Sequence, residues 1–446
     1  MPRAFTTHRR FAQTRWWFAG LTRGLCHVVA GFGGYHWPVA GALCSIGVVA
    51  SGQEPFQNSL AGEAASEARR IQPESQPYTL KSGDFRLLVT PSIEVDWSDN
   101  VTLTKNDTLQ DVILRPLVQL DASYPVSERN LLRLNVGIGY DKYLQHDEFS
   151  ALRLESGSEL SFDIYVKDFW INLHDRFHYI QDPASQAAVT SSGRYGGLNN
   201  TVGLSVAWDL KDLVLTVGYD HDNFVASSSD FAYLDRASEL LLAQVGFRLA
   251  PRVTAGVEAK GSFTAYDQNV LNQNRGYGSG LYAEWRPGKS FVALARGGYA
   301  ALLFQQTSDV ITASDANSWY ADLTVNHQIT RAISYSFSAG HELRLGSESD
   351  SLKDWYARPS IDWNILKQLN LKTYLSYEHG DQKLRPPPGN VSETYNWLGW
   401  GITLSQPVTK KLVVSLNYRL TLRASDISSR EYSQDLVGLR LTYLLQ

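Results

Sequence analysis

Three groups of residues in this chain have types and spacings that could do chemistry. His174 and His178 flank Asp175, a set that could ligate a metal. Along an extended strand, however, residues four apart are separated by about 13 Å, too far to share one ion. Both histidines are therefore expected on a solvated polar face. His146-Asp147-Glu148 and His379-Gly380-Asp381 carry acid–base groups that a hydrolase could use, but they lie in or beside separate polar connections and nothing in their spacing brings them together. Asp99, Asn100, Asn106 and Asp107 supply oxygen donors suited to Ca²⁺. The same residue types build ordinary turns, which is the expectation for them. No phosphate-binding glycine loop stands between a strand and a helix. No catalytic residue, metal ligand or cofactor is expected.

The elements that would hold these residues are strands. From about Phe85 to the end, segments of alternating apolar residues are separated by turns, and every second turn is short. The short ones include Ser127-Glu128-Arg129, Lys167-Asp168, Lys211-Asp212, Pro251-Arg252 and Thr409-Lys410, whereas the connections between them are long and rich in Gly, Ser, Asp and Asn. Short turns on one side and long loops on the other mark an outer-membrane barrel. The spacing predicts about eighteen strands, from 85–97 and 111–124 through 354–365, 369–380 and 393–406 to 432–446. The fold class expected is all-β: a transmembrane antiparallel up-and-down β-barrel following an N-terminal signal sequence. Closure is required because an open edge in lipid leaves backbone groups unpaired.

The alternation also says which face meets lipid. Leu412, Val414, Leu416, Tyr418, Leu420 and Leu422 oppose Val413, Ser415, Asn417, Arg419, Thr421 and Arg423. A slip of one residue would put both arginines into hydrocarbon, at about 2–4 kcal/mol each near the midplane. The same division repeats elsewhere and assigns to the lumen Arg133, Asp141, Arg176, Glu258, Lys260, Asp322, Glu342, Arg358, Asp362, Lys372, Glu378, Arg419, Arg423 and Arg440. Both signs are mixed, which suits cross-strand pairing around a solvated interior. An eighteen-strand barrel is wide enough for water. The connections 182–197 and 225–236 are expected to turn inward and narrow it. The loop tip Lys383 to Asn390, with three consecutive prolines, is expected to be stiff.

The composition agrees. The chain has 446 residues, net charge −4, and 23 Tyr, 12 Trp and 17 Phe, enough for aromatic girdles at both bilayer interfaces. A near-neutral charge gives no basic stripe for nucleic acid. The first 52 residues carry Arg3, Arg9, Arg10, Arg15 and Arg23 and no acid, then an apolar stretch, Trp37 to Ala50, and small residues. This is the pattern of an export signal, with Val48-x-Ala50 a cleavage site. The division expected is 1–52 signal or export segment, 53–80 disordered periplasmic lead-in, and 81–446 transmembrane barrel. The only cysteines, Cys26 and Cys44, fall in the first of these.

The stretch from Ile93 to Tyr143 contains an aromatic-x-Asp-Asn strand end (Trp97, Asp99, Asn100), an Asp-Val-Ile-x-x-Pro strand opening (Asp111 to Pro116), a Tyr-Pro-x-Ser-Glu-Arg-Asn turn and a Gly-x-Gly-Tyr strand. It resembles the opening of the β-barrel porin 2 group of outer-membrane proteins, which is similar to barrels found with exopolysaccharide export and exosortase systems. The resemblance implies an outer-membrane location and a channel, and no catalytic residues. At the other end, the final strand alternates as barrel strands do but closes on Leu445-Gln446 rather than an aromatic residue, leaving Tyr443 for that part.

The function expected is a non-enzymatic porin-like channel for passive diffusion of small polar solutes or saccharides. The alternatives are a plugged or non-conducting barrel serving exopolysaccharide export or anchoring, and an outer-membrane hydrolase. The partners expected are outer-membrane lipid and lipopolysaccharide, the barrel-assembly machinery and polysaccharide, with no nucleic acid. The location expected is the outer membrane of a Gram-negative-type cell, both termini periplasmic.

Overall fold

The two-residue alternation becomes strand pairing along the whole barrel region. The structure is a computed structural model and describes Ser59, Leu60 and residues 77–445, apart from 311, 348, 367 and 385–390. The expected signal segment and most of the loop tip at 385–390 lie outside the described residues. The strands are β1 (Leu80–Ser82), β2 (Phe85–Ser98), β3 (Asp111–Pro125), β4 (Leu131–Tyr143), β5 (Ala151–Val166), β6 (Phe169–Ile180), β7 (Gly197–Asp209), β8 (Leu213–Ala226), β9 (Arg236–Ala250), β10 (Val253–Tyr266), β11 (Asn274–Gly288), β12 (Phe291–Phe304), β13 (Ala316–Gln328), β14 (Ile333–Leu345), β15 (Ser351–Leu366), β16 (Leu369–Leu384), β17 (Val391–Pro407), β18 (Leu412–Ser425) and β19 (Tyr432–Tyr443).

Each strand from β2 to β19 pairs antiparallel with its sequence neighbours, and β19 returns to β2 from Leu436↔Ser98 to Thr442↔Ser92. The sheet is therefore a closed eighteen-strand barrel with no free edge. β1, which the alternation does not set apart, forms a small hairpin with the start of β2 through Gly83 at φ 60°. β2 begins and β19 ends at the rim that carries the short turns. One irregularity sits in β5, where Gly157 at φ 95° accompanies register shifts toward both neighbours. A glycine suits this bulge because it enters that region of φ without a Cβ clash.

The outward face is apolar and is bounded by two rows of aromatic residues. On five strands the rows stand eight residues apart: Phe169 and Phe177, Tyr277 and Trp285, Phe291 and Tyr299, Trp319 and His327, Trp355 and Trp363. At about 3.3 Å per residue and a tilt near 40°, the rows are roughly 20 Å apart in height, the scale of a barrel's apolar band. Rings within each row touch across strands. Phe169 stacks on Trp208 with centroids 5.2 Å apart, Phe291 meets Trp285 at 5.1 Å and His327 at 5.2 Å, and Trp319 stacks on His341 at 4.1 Å. Between the rows lie side chains such as Leu173, Val217, Leu281 and Leu416, all left exposed by the protein itself.

Candidate functional site: the barrel lumen and its inward loop

The inward face is polar, and its charges are paired. Each of the fourteen residues assigned to the lumen from sequence shares its strand face with buried polar side chains. Arg133 Nη2 meets Asp163 at 2.6 Å, and Asp141 lies 3.5 Å from Arg115 and 3.4 Å from Arg153. Arg176 meets Glu159 at 3.1 Å, Lys372 meets Asp362 at 3.4 Å and Arg440 meets Glu94 at 2.5 Å. Glu258 takes Lys260 Nζ at 3.1 Å and Gln244 Nε2 at 3.1 Å.

The densest network contains two charged residues that are not among the fourteen, Arg344 and Asp354. The Arg344 side chain is fully buried and lies between three carboxylates: Asp354, Glu378 at 2.9 Å and Glu342 at 3.2 Å. Arg358 approaches Glu378 from 3.8 Å, and Tyr395 donates its hydroxyl to the same carboxylate at 2.8 Å. Arg344 and Asp354 stand at alternating positions with Glu342 and Tyr356, so strand parity alone places them inward.

Around β10 to β15 a second device closes the wall. Glu258, Gly280, Gly298 and Tyr320 stand in one row on four adjacent strands. The missing side chains of the two glycines let the Tyr320 ring lie along the wall and donate its hydroxyl to Glu258 at 2.8 Å. A Cβ on Gly280 would come 2.3 Å from that hydroxyl, and one on Gly298 would come 2.7 Å from it. Tyr356 repeats the arrangement over Gly340 to reach Asp322 at 2.8 Å.

Across the lumen lies the loop 181–196, between β6 and β7. Its sequence turns at once: Pro183 opens a short 3₁₀ turn, and both the amide and the hydroxyl of Ser185 donate to Asp182 O. The small side chains that follow can then pack closely. Ala184, Ala187 and Ala188 are buried against Leu103, Leu352, Tyr395, Trp397 and Tyr432, which belong to the first long loop and to β15, β17 and β19. Farther along, Val189 and Tyr195 pack with Leu234, Tyr266 and Leu271.

Three arginines hold the loop. Arg419 Nη1 donates to Asp182 at 2.8 Å, Arg423 Nε to Ala187 O at 2.7 Å and Arg430 Nη2 to Ala188 O at 2.7 Å. Arg423 and Arg430 are themselves fixed by the buried carboxylate of Glu393, at 2.7 and 3.0 Å. Burial pushes the Asp182 carboxyl up, but the guanidinium groups around it, Arg419 first and then Arg115 and Arg153, together outweigh it and leave the group below its ordinary value. The loop thus crosses from the β6–β7 side to the β17–β19 side of the barrel. The 225–236 region, also expected inward, contributes a 3₁₀ helix, Ser229–Leu234, whose Leu234 joins the Val189 cluster.

The other candidates are placed differently. Asp111 Oδ2 accepts from the backbone of His146 at 2.9 Å and lies 3.0 Å from its ring, so that histidine fastens a loop to the start of β3. His379 faces Asn396 at 3.0 Å on β16, several strands away. Asn100 is buried and braces the first long loop, donating to Thr104 O and Ser433 O, while Asp99 accepts from the Asp435 amide. His174 faces the lumen and pairs with Asp220 at 2.6 Å. Asp175 lies on the opposite, outward face, where Asn200 donates to it at 2.6 Å. Among the described residues no three His, Cys, Asp or Glu side chains converge as metal ligands.

No family model matches the chain, and no curated protein matches it. Among solved structures the chain is similar to Pseudomonas aeruginosa OpdL, with 13% identity, a TM-score of 0.43, and 81% of this chain and 99% of that chain covered. It is similar to P. aeruginosa OccK2 (OpdF) in complex with glucuronate at 12% identity and a TM-score of 0.43, over 81% and 98% of the two chains. For Acinetobacter baumannii OccAB3 the values are 10%, 0.44, 80% and 98%.

Proposed function

We propose that this chain is an outer-membrane channel through which small polar solutes or saccharides diffuse passively. One observation carries the reading: a closed eighteen-strand barrel turns paired charges inward and a band of apolar side chains, bounded by two aromatic rows, outward. A barrel of this strand number leaves room for an aqueous path. The outward band has the chemistry of acyl chains and the aromatic rows that of the headgroup region. In this reading lipid and lipopolysaccharide surround the barrel, the assembly machinery inserts it, and the short-turn rim with both chain ends faces the periplasm. The fourteen lumen residues line the path, and loop 181–196 sets its narrowest part. No step calls for a catalytic residue or a cofactor. The motifs between Ile93 and Tyr143 support membership of the β-barrel porin 2 group.

A second reading is favoured by the same inward loop. A lumen crossed by a loop packed against three strands suits a barrel that serves polysaccharide export or anchoring without conducting. Recording from the purified chain in planar bilayers separates the two. Steady single-channel steps are expected for the diffusion channel. Silence from correctly folded barrels would leave the export or anchoring role.

A further inference from the structure

His174 on β6, Gly203 on β7 and Asp220 on β8 stand in one row of the inner wall. A Cβ on Gly203 would come 1.9 Å from Asp220 Oδ1 and 2.6 Å from His174 Nε2, so the glycine is what lets the two side chains meet across it. Asn172 donates Nδ2 to Asp163 at 2.9 Å, which leaves its Oδ1 to accept from His174 Nδ1 at 2.8 Å. The other ring nitrogen faces Asp220 Oδ1 at 2.6 Å. The carboxylate is thus held rigidly, with its second oxygen directed away from the histidine. Asp220 is fully buried although it faces the lumen.

That second oxygen has a partner from outside the barrel strands. The backbone amide of Leu60 donates to Asp220 Oδ2 at 2.9 Å, and Ser59 beside it is buried. Leu240 stands next to Asp220 in the same row and Leu242 next to Gly218, one inward-facing position away. Both are buried apolar side chains on the inner wall. An amide acceptor beside two leucines is chemistry for a peptide segment.

We infer that the Ser59–Leu60 dipeptide ahead of the barrel is a tethered lumenal ligand, docked on the Asp220–His174 pair. Asp220 lies about midway along β8, so Leu60 sits near mid-height on the inner wall and takes up part of the section there. The consequence for flow rests on the channel reading above; the docking itself does not.

Two measurements keep these apart. In a full-length chain with Cys26 and Cys44 replaced by Ser, a Leu60→Cys thiol in folded barrels should react with a water-soluble maleimide about tenfold more slowly than a Ser82→Cys thiol on the exposed β1 hairpin, the scale of one charge-assisted hydrogen bond. Asp220→Asn should remove most of that protection. In planar bilayers, deleting residues 53–76 should raise the mean conductance and quiet its fluctuations, and a synthetic peptide of residues 53–66 should restore the reduction. Equal reactivity of the two thiols would overturn the docking. Protection of Leu60→Cys together with silence from both the full chain and the deletion would retain the docking and remove the channel. Conduction that is unchanged by the deletion would overturn the occupation of the path.

Discussion

On β10–β15 the inner wall carries tyrosines that lie across glycines to reach carboxylates; from β14 round through β19 to β2–β6 it carries guanidinium–carboxylate pairs, and on those of β17–β19 the loop 181–196 leans. Both halves come from the same alternation, yet they fail differently. A tyrosine over a glycine depends on a space one methyl group would fill. An arginine between carboxylates depends on charge, and removing one partner leaves the other buried and uncompensated. The first device keeps side chains flat against the wall. The second projects guanidinium groups that can hold a loop by its carbonyl oxygens.

The largest effect should follow from removing what the arginine side carries. Replacing residues 183–195 by a short Gly-Ser link should raise single-channel conductance several-fold, because the trans-lumen crossing is lost while every strand pairing remains. Next is the carboxylate beneath the clamp. Glu393→Ala should leave Arg423 and Arg430 without their buried counter-charge and cost about 3–5 kcal/mol, read as a lower temperature for the heat-induced mobility shift of the folded barrel. Glu393→Gln should fall between the variant and the parent.

On the tyrosine side the costs should be smaller and steric. Gly298→Ala would bring a Cβ 2.2 Å from Ser279 O and 2.7 Å from the Tyr320 hydroxyl, so the wall must shift. The expected cost is about 1–3 kcal/mol in the same thermal assay. Tyr320→Phe should lose the bond to Glu258 alone, at about 1–2 kcal/mol. If both variants matched the loss in Glu393→Ala, the distinction between the walls would fail.

The smallest effect concerns pH. The Asp182 carboxyl is held below its ordinary value, so the stability it contributes with Arg419 is complete above the unfolded value of about 3.9 and is lost as pH falls through the lower folded value. Conductance fluctuations that report loop motion should be the same from pH 5 to 7 and should grow only in stronger acid, below roughly pH 4. Arg419→Ala should show the increased fluctuations already at neutral pH.

Strand existence and facing were legible in the sequence because hydrocarbon tolerates so little on one face. Arg419 and Arg423 fixed the orientation of β18, and Leu132 to Tyr140 that of β4. Strand ends were less legible. The strands expected at 354–365 and 369–380 extend to Ser351–Leu366 and Leu369–Leu384. Beyond the bilayer both faces are polar, as in Glu378-His379-Gly380-Asp381-Gln382-Lys383, and alternation has nothing left to mark.

The site was legible as a set of side chains and not as an arrangement. The stagger between strands decides which charges share a height, and no local pattern encodes it. Arg344 and Asp354 were findable by parity; their convergence with Glu378 was not. Gly280 and Gly298 were visible as glycines, but their purpose needs Tyr320 from another strand. The inward turn of 181–196 left a local trace in its Pro-Ala-rich, uncharged run after Asp182, whereas its anchors at Arg419, Arg423 and Arg430 lie more than 230 residues away.

The facing of adjacent residues on one strand tests the whole account most directly. Phe337 and Ser338 are neighbours on β14 with opposite orientation. In the chain with Cys26 and Cys44 replaced by Ser and reconstituted in lipid vesicles, Ser338→Cys should react readily with a small charged thiol reagent and Phe337→Cys should not. Reaction at Phe337→Cys with protection at Ser338→Cys would place the apolar face in water and contradict the membrane barrel.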